Sequence, residues 1–90
     1  MFVLRGIMIE DIKEKIRVKA IFADGHMRPE AFVWRKRAYS VKEIHGAYDN
    51  RLGRAKQLHY SVGCGGEDMY EIALDTDLME WRLDRIHTPG

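Results

Sequence analysis

The stretch Ile16-Arg17-Val18-Lys19-Ala20-Ile21-Phe22 decides the fold class, because an apolar side chain recurs at every second position. Arg17 and Lys19 occupy the positions between. Successive side chains point to opposite faces of a β-strand, so this period of two predicts a half-buried strand rather than a helix. Asp24-Gly25 follows, a pair that favours a tight turn, and we expect the strand to end there.

The same alternation returns in five later segments, so most of the chain is predicted to be strand. Short connections between strands favour antiparallel pairing, because a parallel pair needs a crossover of about a dozen residues. Such a sheet must curl to bury its apolar face. We therefore expect an all-β fold, either a small antiparallel barrel or a strongly bent sheet of five to six strands. The later segments are residues 31–35, 39–41, 58–62, 70–74 and 79–87, and the clearest turns are 35–38, 63–66 and 75–77.

The first fifteen residues follow a different pattern. Ile9, Ile12 and Ile16 recur at steps of three and four, which is the spacing of one helix face. We expect an N-terminal arm or one short helix over residues 1–15, followed by a single β-domain over residues 16–90. A helix at this position makes α+β the alternative fold class.

The alternation also slips in the middle of the chain. Val41, Ile44 and Tyr48 are separated by steps of three and four, with Gly46 between them. Two structures fit this spacing, a β-bulge that bends the strand or a short helical turn. Residues 49–56 are polar and basic and are predicted to be a loop.

Composition places the chain among small globular domains. It has 90 residues, of which 46% are apolar and 32% charged, and this is too apolar for disorder. Cys64 is the one cysteine, so no internal disulfide can form and a reducing compartment is indicated. The longest apolar runs, at 2–4 and 7–9, are far shorter than the ~20 residues of a membrane span. We expect a cytoplasmic protein without membrane contact.

Charge is distributed unevenly along the chain. Residues 1–56 carry thirteen Lys/Arg and seven Asp/Glu, a balance of +6, whereas residues 57–90 carry two and seven, a balance of −5. One interpretation is that strands of opposite sign pair across the sheet, where each exposed pair contributes at most ~1 kcal/mol. The other is a polarised surface whose basic face receives an acidic partner.

Several strand motifs together resemble an uncharacterised bacterial domain family. Its pattern is aromatic-x-Trp, a basic hairpin, Tyr-x-Val, a Tyr-Glu-aliphatic strand and a closing Trp-x-Leu. Here the corresponding residues are Pro29-Glu30-Ala31-Phe32-Val33-Trp34-Arg35-Lys36-Arg37-Ala38-Tyr39-Ser40-Val41-Lys42-Glu43-Ile44, then Tyr60 with Val62, Tyr70-Glu71-Ile72 and Trp81-Arg82-Leu83-Asp84-Arg85-Ile86.

This resemblance spans about residues 16–87 and implies a small β-domain. Members of the family occur as free-standing proteins and attached to Y-family-like DNA polymerases, which implies a role near DNA but no known activity. Two positions depart from the pattern. Lys36 stands where the family tends to have glycine, and Tyr48 stands near a family tryptophan.

No metal site is expected from the spacing of ligands. The four histidines are each at least fourteen residues apart, whereas zinc favours close pairs. Asp75 begins a stretch similar to a calcium loop, but the sixth position is Glu80 instead of glycine and the twelfth is Ile86 instead of glutamate. We expect neither a metal nor a cofactor.

Enzymatic activity is not expected either. Cys64 lies among glycines and close to Glu67 and Asp68, which disfavour the thiolate that a nucleophile needs. The positions of the serines, histidines and aspartates indicate no catalytic set.

The basic residues are the strongest candidates for binding. Small β-barrels bind single-stranded nucleic acid with a cationic groove and exposed aromatic side chains, here Trp34, Tyr39 or Tyr48. A straight strand between the two basic groups would hold them about 30 Å apart, so only a bend near Gly46 would merge them. The candidate binding residues are Arg35, Lys36 and Arg37 at a hairpin tip, Arg51, Arg54 and Lys56 in the following loop, and Tyr48.

The sequence thus predicts a non-enzymatic domain that binds a macromolecule. The first expectation is a protein partner or self-association into a homo-oligomer, for which an exposed edge strand would supply main-chain hydrogen bonds. The alternative is single-stranded nucleic-acid binding through the basic hairpin and loop.

Overall fold

The computed structural model describes residues 6–89 and contains seven β-strands in that range. The all-β prediction is confirmed, whereas the expected count of five to six strands is too low. No helix occurs in residues 6–89, so the α+β alternative is wrong there, and no helix in that range could cross a membrane. The strands are β1 (Ile7–Ala23), β2 (His26–Trp34), β3 (Arg37–Ser40), β4 (Glu43–Leu52), β5 (Ala55–Gly63), β6 (Met69–Asp75) and β7 (Glu80–Pro89).

All seven strands belong to one antiparallel sheet with the order β3-β2-β1-β7-β6-β5-β4. The two edge strands, β3 and β4, are consecutive in the chain and are joined by Val41 and Lys42 alone. The Val41 amide donates to the Glu30 carbonyl at 2.8 Å, and the Lys42 amide donates to the Gly63 carbonyl at 2.8 Å. Because β3 and β4 follow each other end to end instead of pairing, the sheet is not closed into a barrel. The barrel alternative is therefore wrong.

Strand β1 replaces the predicted N-terminal helix. It runs without interruption through residue 15, and residues 1–5 lie outside the described part. Its pairing with β7 shifts register between Asp11 and Glu14, where Lys13 has a φ of 55°. Ile12 and Ile16 are four positions apart, an even number, so both face the core in a strand as they would on one side of a helix. Ile9, three positions before Ile12, is 59% exposed and does not share that face, so the interpretation as helical was wrong.

Strand β4 contains the predicted bulge, because its register with β5 shifts between Ile44 and Gly46. The expected loop over residues 49–56 is wrong. Residues 49–52 extend β4, and β5 begins at Ala55 after a short turn. Sequence pattern missed this part of the strand because every residue of β4 is exposed, so apolar and polar positions do not alternate there.

The core lies on the concave side of the bent sheet. Phe32 of β2, which is 1% exposed, meets Tyr70 of β6 edge to face with ring centroids 5.5 Å apart. Tyr39 of β3 stacks on Phe32 at 4.9 Å. The Tyr60 hydroxyl on β5 donates to the Met27 carbonyl on β2 at 3.1 Å. Strands that are not neighbours in the sheet therefore pack face to face, and this confirms the predicted bend.

Candidate interaction surfaces

The β4 edge is the most exposed element of the described chain. All ten of its residues are exposed, and β5 is its one neighbour in the sheet. An edge strand presents unpaired N–H and C=O groups that can bond to another strand. The other edge is much smaller, because β3 has four residues.

Strand β4 lacks two of the features that commonly block edge strands, since it contains neither lysine nor proline. Its bulge near Gly46 and its charged side chains give it part of the usual protection. Its side chains include the exposed apolar residues Ile44, Tyr48 and Leu52, of which Tyr48 is 57% and Leu52 70% exposed. The edge is thus long, free and partly apolar.

The bulge in β4 decides which face of the sheet its charged side chains occupy. Asp49 and Arg51 follow Ala47 at alternate positions and share one face of the strand. The register shift before Gly46 exchanges the faces, so Glu43 and His45, which both lie against Gly63, are on the other face. The charges at the two ends of β4 are therefore not complementary across an antiparallel copy of the strand.

Tyr48, a predicted binding residue, lies on the convex side of β4. It is opposite His59 in the β4–β5 pair, and the two rings stack with centroids 4.5 Å apart and nearly parallel planes. One face of the Tyr48 ring is therefore covered from within the chain. By contrast, Trp34 and Tyr39 pack against the core cluster and do not form exposed platforms.

The two predicted basic groups lie on different hairpins. Arg35, Lys36 and Arg37 form the tip of the β2–β3 hairpin, whereas Arg51, Arg54 and Lys56 belong to the β4–β5 hairpin. These hairpins occupy opposite edges of the sheet, and the bulge near Gly46 does not bring them into one surface.

Several members of these groups have partners within the chain. Arg35 donates to both carboxylate oxygens of Glu14, at 3.1 Å from Nε and 2.6 Å from Nη2, and its guanidinium lies 4.6 Å from the Trp34 ring centroid. Lys56 lies 3.6 Å from Asp49. Arg35 and Lys56 are therefore less available to a ligand than their positions in the sequence indicated.

A basic surface that sequence analysis did not single out lies on the convex side of β1 and β2. Arg17 of β1, Val33 of β2 and Ala38 of β3 lie side by side across three strands. Two residues further along β1, Lys19 is opposite Ala31 of β2. The signal was present in the opening stretch, where the residues between the core positions of β1 are cations. The alternation was used there to predict a half-buried strand, and the cations were not considered as a surface.

A polar network covers the convex side of β5, β6 and β7. Arg82 Nη1 donates to Gln57 Oε1 at 2.9 Å, and Arg82 Nε donates to Asp84. His59 Nε2 is 3.1 Å from Asn50 Oδ1. Burial lowers the pKa of His59, an effect that the Asp84 carboxylate opposes, so the neutral ring is favoured. His87 pairs with Glu71 in the same layer. These side chains satisfy most of one another's polar atoms, but within the described residues the buried Gln57 Nε2 has no hydrogen-bond partner.

The remaining chemically interesting groups also have structural roles. Asp75 Oδ1 accepts the amides of Asp77 at 2.9 Å and Leu78 at 3.0 Å, so it holds the β6–β7 turn. Burial raises the pKa of the Cys64 thiol, which disfavours the thiolate. Within residues 6–89, no group of three or more His, Cys, Asp or Glu side chains is arranged to hold a metal ion.

Comparison with known proteins produced no match to a family model, to a curated protein or to a solved structure. The resemblance to a domain family attached to DNA polymerases therefore stays a prediction from the sequence. Function has to be argued from the surfaces themselves.

Proposed function

We propose that this protein is a non-enzymatic interaction domain that self-associates through β4, in the reducing cytoplasm. The observation that carries the proposal is the ten-residue β4 edge, exposed along its whole length. A second copy would add its own β4 antiparallel to the first and extend the sheet across a twofold axis.

The edge is complementary to itself, and this favours a second copy as its occupant. Two antiparallel β4 strands related by a twofold axis offer each other the same N–H and C=O groups, and a twofold dimer of this kind closes without leaving a free copy of the edge. Centred on Ala47, the arrangement sets the small side chains of the two Ala47 residues opposite each other.

Main-chain hydrogen bonds supply affinity in this arrangement, and side chains supply register. Tyr48 and Leu52 add apolar area at the new junction, since both are largely exposed in the single chain. Their burial removes apolar surface from water, which is favourable by ~25 cal/mol per Å².

Charges placed at the centre of the edge test this proposal. Sedimentation velocity of the wild-type chain over a wide concentration range is expected to show a monomer–dimer equilibrium. Ala47→Lys and Ala47→Glu should each weaken dimerisation, by about tenfold, because the twofold axis sets two like charges opposite each other. An equimolar mixture of the two variants sets opposite charges at the axis and should recover association.

The matched control is Glu67→Lys, which introduces a lysine at an exposed residue of the β5–β6 connection. It should leave dimerisation unchanged. A chain that stays monomeric at every concentration contradicts the proposal. So does a mixture of the two Ala47 variants that associates no better than either variant alone, because an antiparallel β4 pair centred on Ala47 requires rescue.

A further inference from the structure

A row of cations on β1 forms the first part of a second surface, independent of the β4 edge. Lys15, Arg17 and Lys19 are at alternate positions on the exposed side of the strand, about 6.6 Å apart at ~3.3 Å per residue. Lys15 pairs with Glu80 at 3.0 Å, yet its side chain is still 77% exposed. In the described part of the chain, Arg17 and Lys19 have no ion-pair partner.

Two shallow grooves run beside this row. One, of about 270 Å³, lies between β1 and β3 and includes Arg17 and Lys19. The other, of about 460 Å³, includes Lys15 and reaches Lys36 at the β2–β3 turn. The two grooves share Arg17 and Val33, so they form one track. Among the described residues, 6–89, the charged side chains that line the two grooves are all cations.

The floor of the track is flat and apolar. It consists of Ala31 and Val33 on β2 and Ala38 on β3, and Val33 is 42% exposed. Small side chains leave room for a planar group to lie against the sheet. We call Lys15, Arg17, Lys19 and Lys36, together with this floor, the basic face.

A polyanion is the ligand that a row of cations selects, and the floor distinguishes between two kinds. An acidic protein segment lying across Ala31 and Val33 would bury main-chain N–H and C=O groups against apolar side chains without partners, which is costly. The bases of a single-stranded nucleic acid present flat faces that usually stack on aromatic side chains and here would bury apolar area against small aliphatic ones, while their phosphates need cations. The basic face offers both side by side.

We therefore propose that the basic face binds single-stranded nucleic acid, with phosphates along Arg17 and Lys19 and bases against Ala31, Val33 and Ala38. This site differs from the hairpin-and-loop site expected from the sequence. It retains Lys36 from that set and replaces the others with β1 residues. Arg35 is committed to Glu14, and the β4–β5 hairpin lies at the far edge of the sheet.

Fluorescence anisotropy with a labelled oligothymidylate tests the proposal. Four phosphate contacts, one for each cation of the basic face, predict a loss of affinity of about fiftyfold between 50 and 200 mM salt. The double variant R17A/K19A should bind about tenfold more weakly at low salt and show a shallower salt dependence. Its circular dichroism spectrum should match that of the wild type, because both side chains are exposed.

The matched control is K42A/R54A, which removes the same charge from exposed positions away from the basic face. It should bind like the wild type. Absence of binding at low salt overturns the proposal, and so does an equal loss in both double variants, because binding would then depend on net charge alone. Poly-glutamate that competes as strongly as the unlabelled oligonucleotide also overturns the proposal, because the ligand would then be an acidic protein segment. None of these outcomes depends on dimerisation, which sedimentation of the same variants reports separately.

Discussion

The Glu14 carboxylate anchors the tip of the β2–β3 hairpin to β1. It accepts a hydrogen bond from Trp34 Nε1 at 2.9 Å and two from the Arg35 guanidinium. Hydrogen bonds from Arg35 and then from Trp34 lower the pKa of Glu14 below its ordinary value of 4.5. One exposed acid thus links two strands through three donors.

This geometry predicts a dependence of stability on pH. A carboxyl whose pKa is lower in the folded chain than in the unfolded chain stabilises the fold above its unfolded pKa, near 4.5, and loses that contribution as pH falls through the lower folded value. Urea unfolding at pH 7 and pH 3 should therefore show a smaller difference in midpoint for Glu14→Gln than for the wild type.

Glu67→Gln is the control for this measurement, because Glu67 lies exposed in the β5–β6 connection. It should keep the wild-type difference between the two pH values. If Glu14→Gln keeps it as well, the hydrogen bonds to Arg35 and Trp34 do not survive in solution.

At the scale of elements, the β2–β3 turn has a backbone conformation that its two central residues, Arg35 and Lys36, do not favour. Arg35 and Lys36 have φ values of 49° and 65°, a left-handed pair that two-residue hairpin turns use and that asparagine and glycine adopt most readily. The turn at 35–38 was predicted from the return of alternation at Tyr39, not from these residue types. Its cost is offset by the contact of Arg35 with Glu14.

Lys36→Gly is expected to stabilise the chain by about 0.5–1 kcal/mol, because glycine adopts this φ without a Cβ clash. Equilibrium urea unfolding measures the change. The reverse substitution at the matching φ of 65°, Gly53→Ala in the β4–β5 turn, should destabilise the chain by about 1 kcal/mol. Equal effects of one sign in both variants would contradict the left-handed geometry of these turns.

At the scale of the whole molecule, one hydroxyl joins the two halves of the bent sheet. Tyr60 on β5 reaches across the concave side to the main chain of β2 at Met27. The remaining contacts across this space are apolar and aromatic, which lack direction. The Tyr60 hydrogen bond therefore contributes to the angle at which the halves meet.

Tyr60→Phe should lower the free energy of unfolding by about 0.5–1.5 kcal/mol, the net contribution of one such hydrogen bond. Thermal or urea unfolding measures this loss. Tyr48→Phe removes an exposed hydroxyl and should change stability by less than about 0.5 kcal/mol. Two variants of equal stability would show that Met27 finds water as an equivalent partner.

Alternation of apolar side chains in β1, β5, β6 and β7 was enough to predict an all-β fold, because burial on one face of a strand imposes a period of two. The same reasoning predicted the turns near residues 24, 35 and 63, where residue type or renewed alternation marks a reversal. It also predicted the bulge near Gly46 as one of two alternatives. These features depend on neighbours in the chain.

Other features depend on which strands become neighbours in space, and no local pattern contains that information. Ile12 and Ile16 both face the core because they are an even number of residues apart in β1, but four residues is also about one turn of a helix, so the spacing alone did not distinguish the two. Strand β4 became an edge because β3 continues directly into it, and full exposure removed the alternation that would have revealed it. Arg17 and Lys19 form one surface with Ala31, Val33 and Ala38 only because β2 and β3 pair beside β1. Position within the sheet decides which polar side chains share a surface, since hydrogen-bonded pairing joins residues that are far apart in the chain.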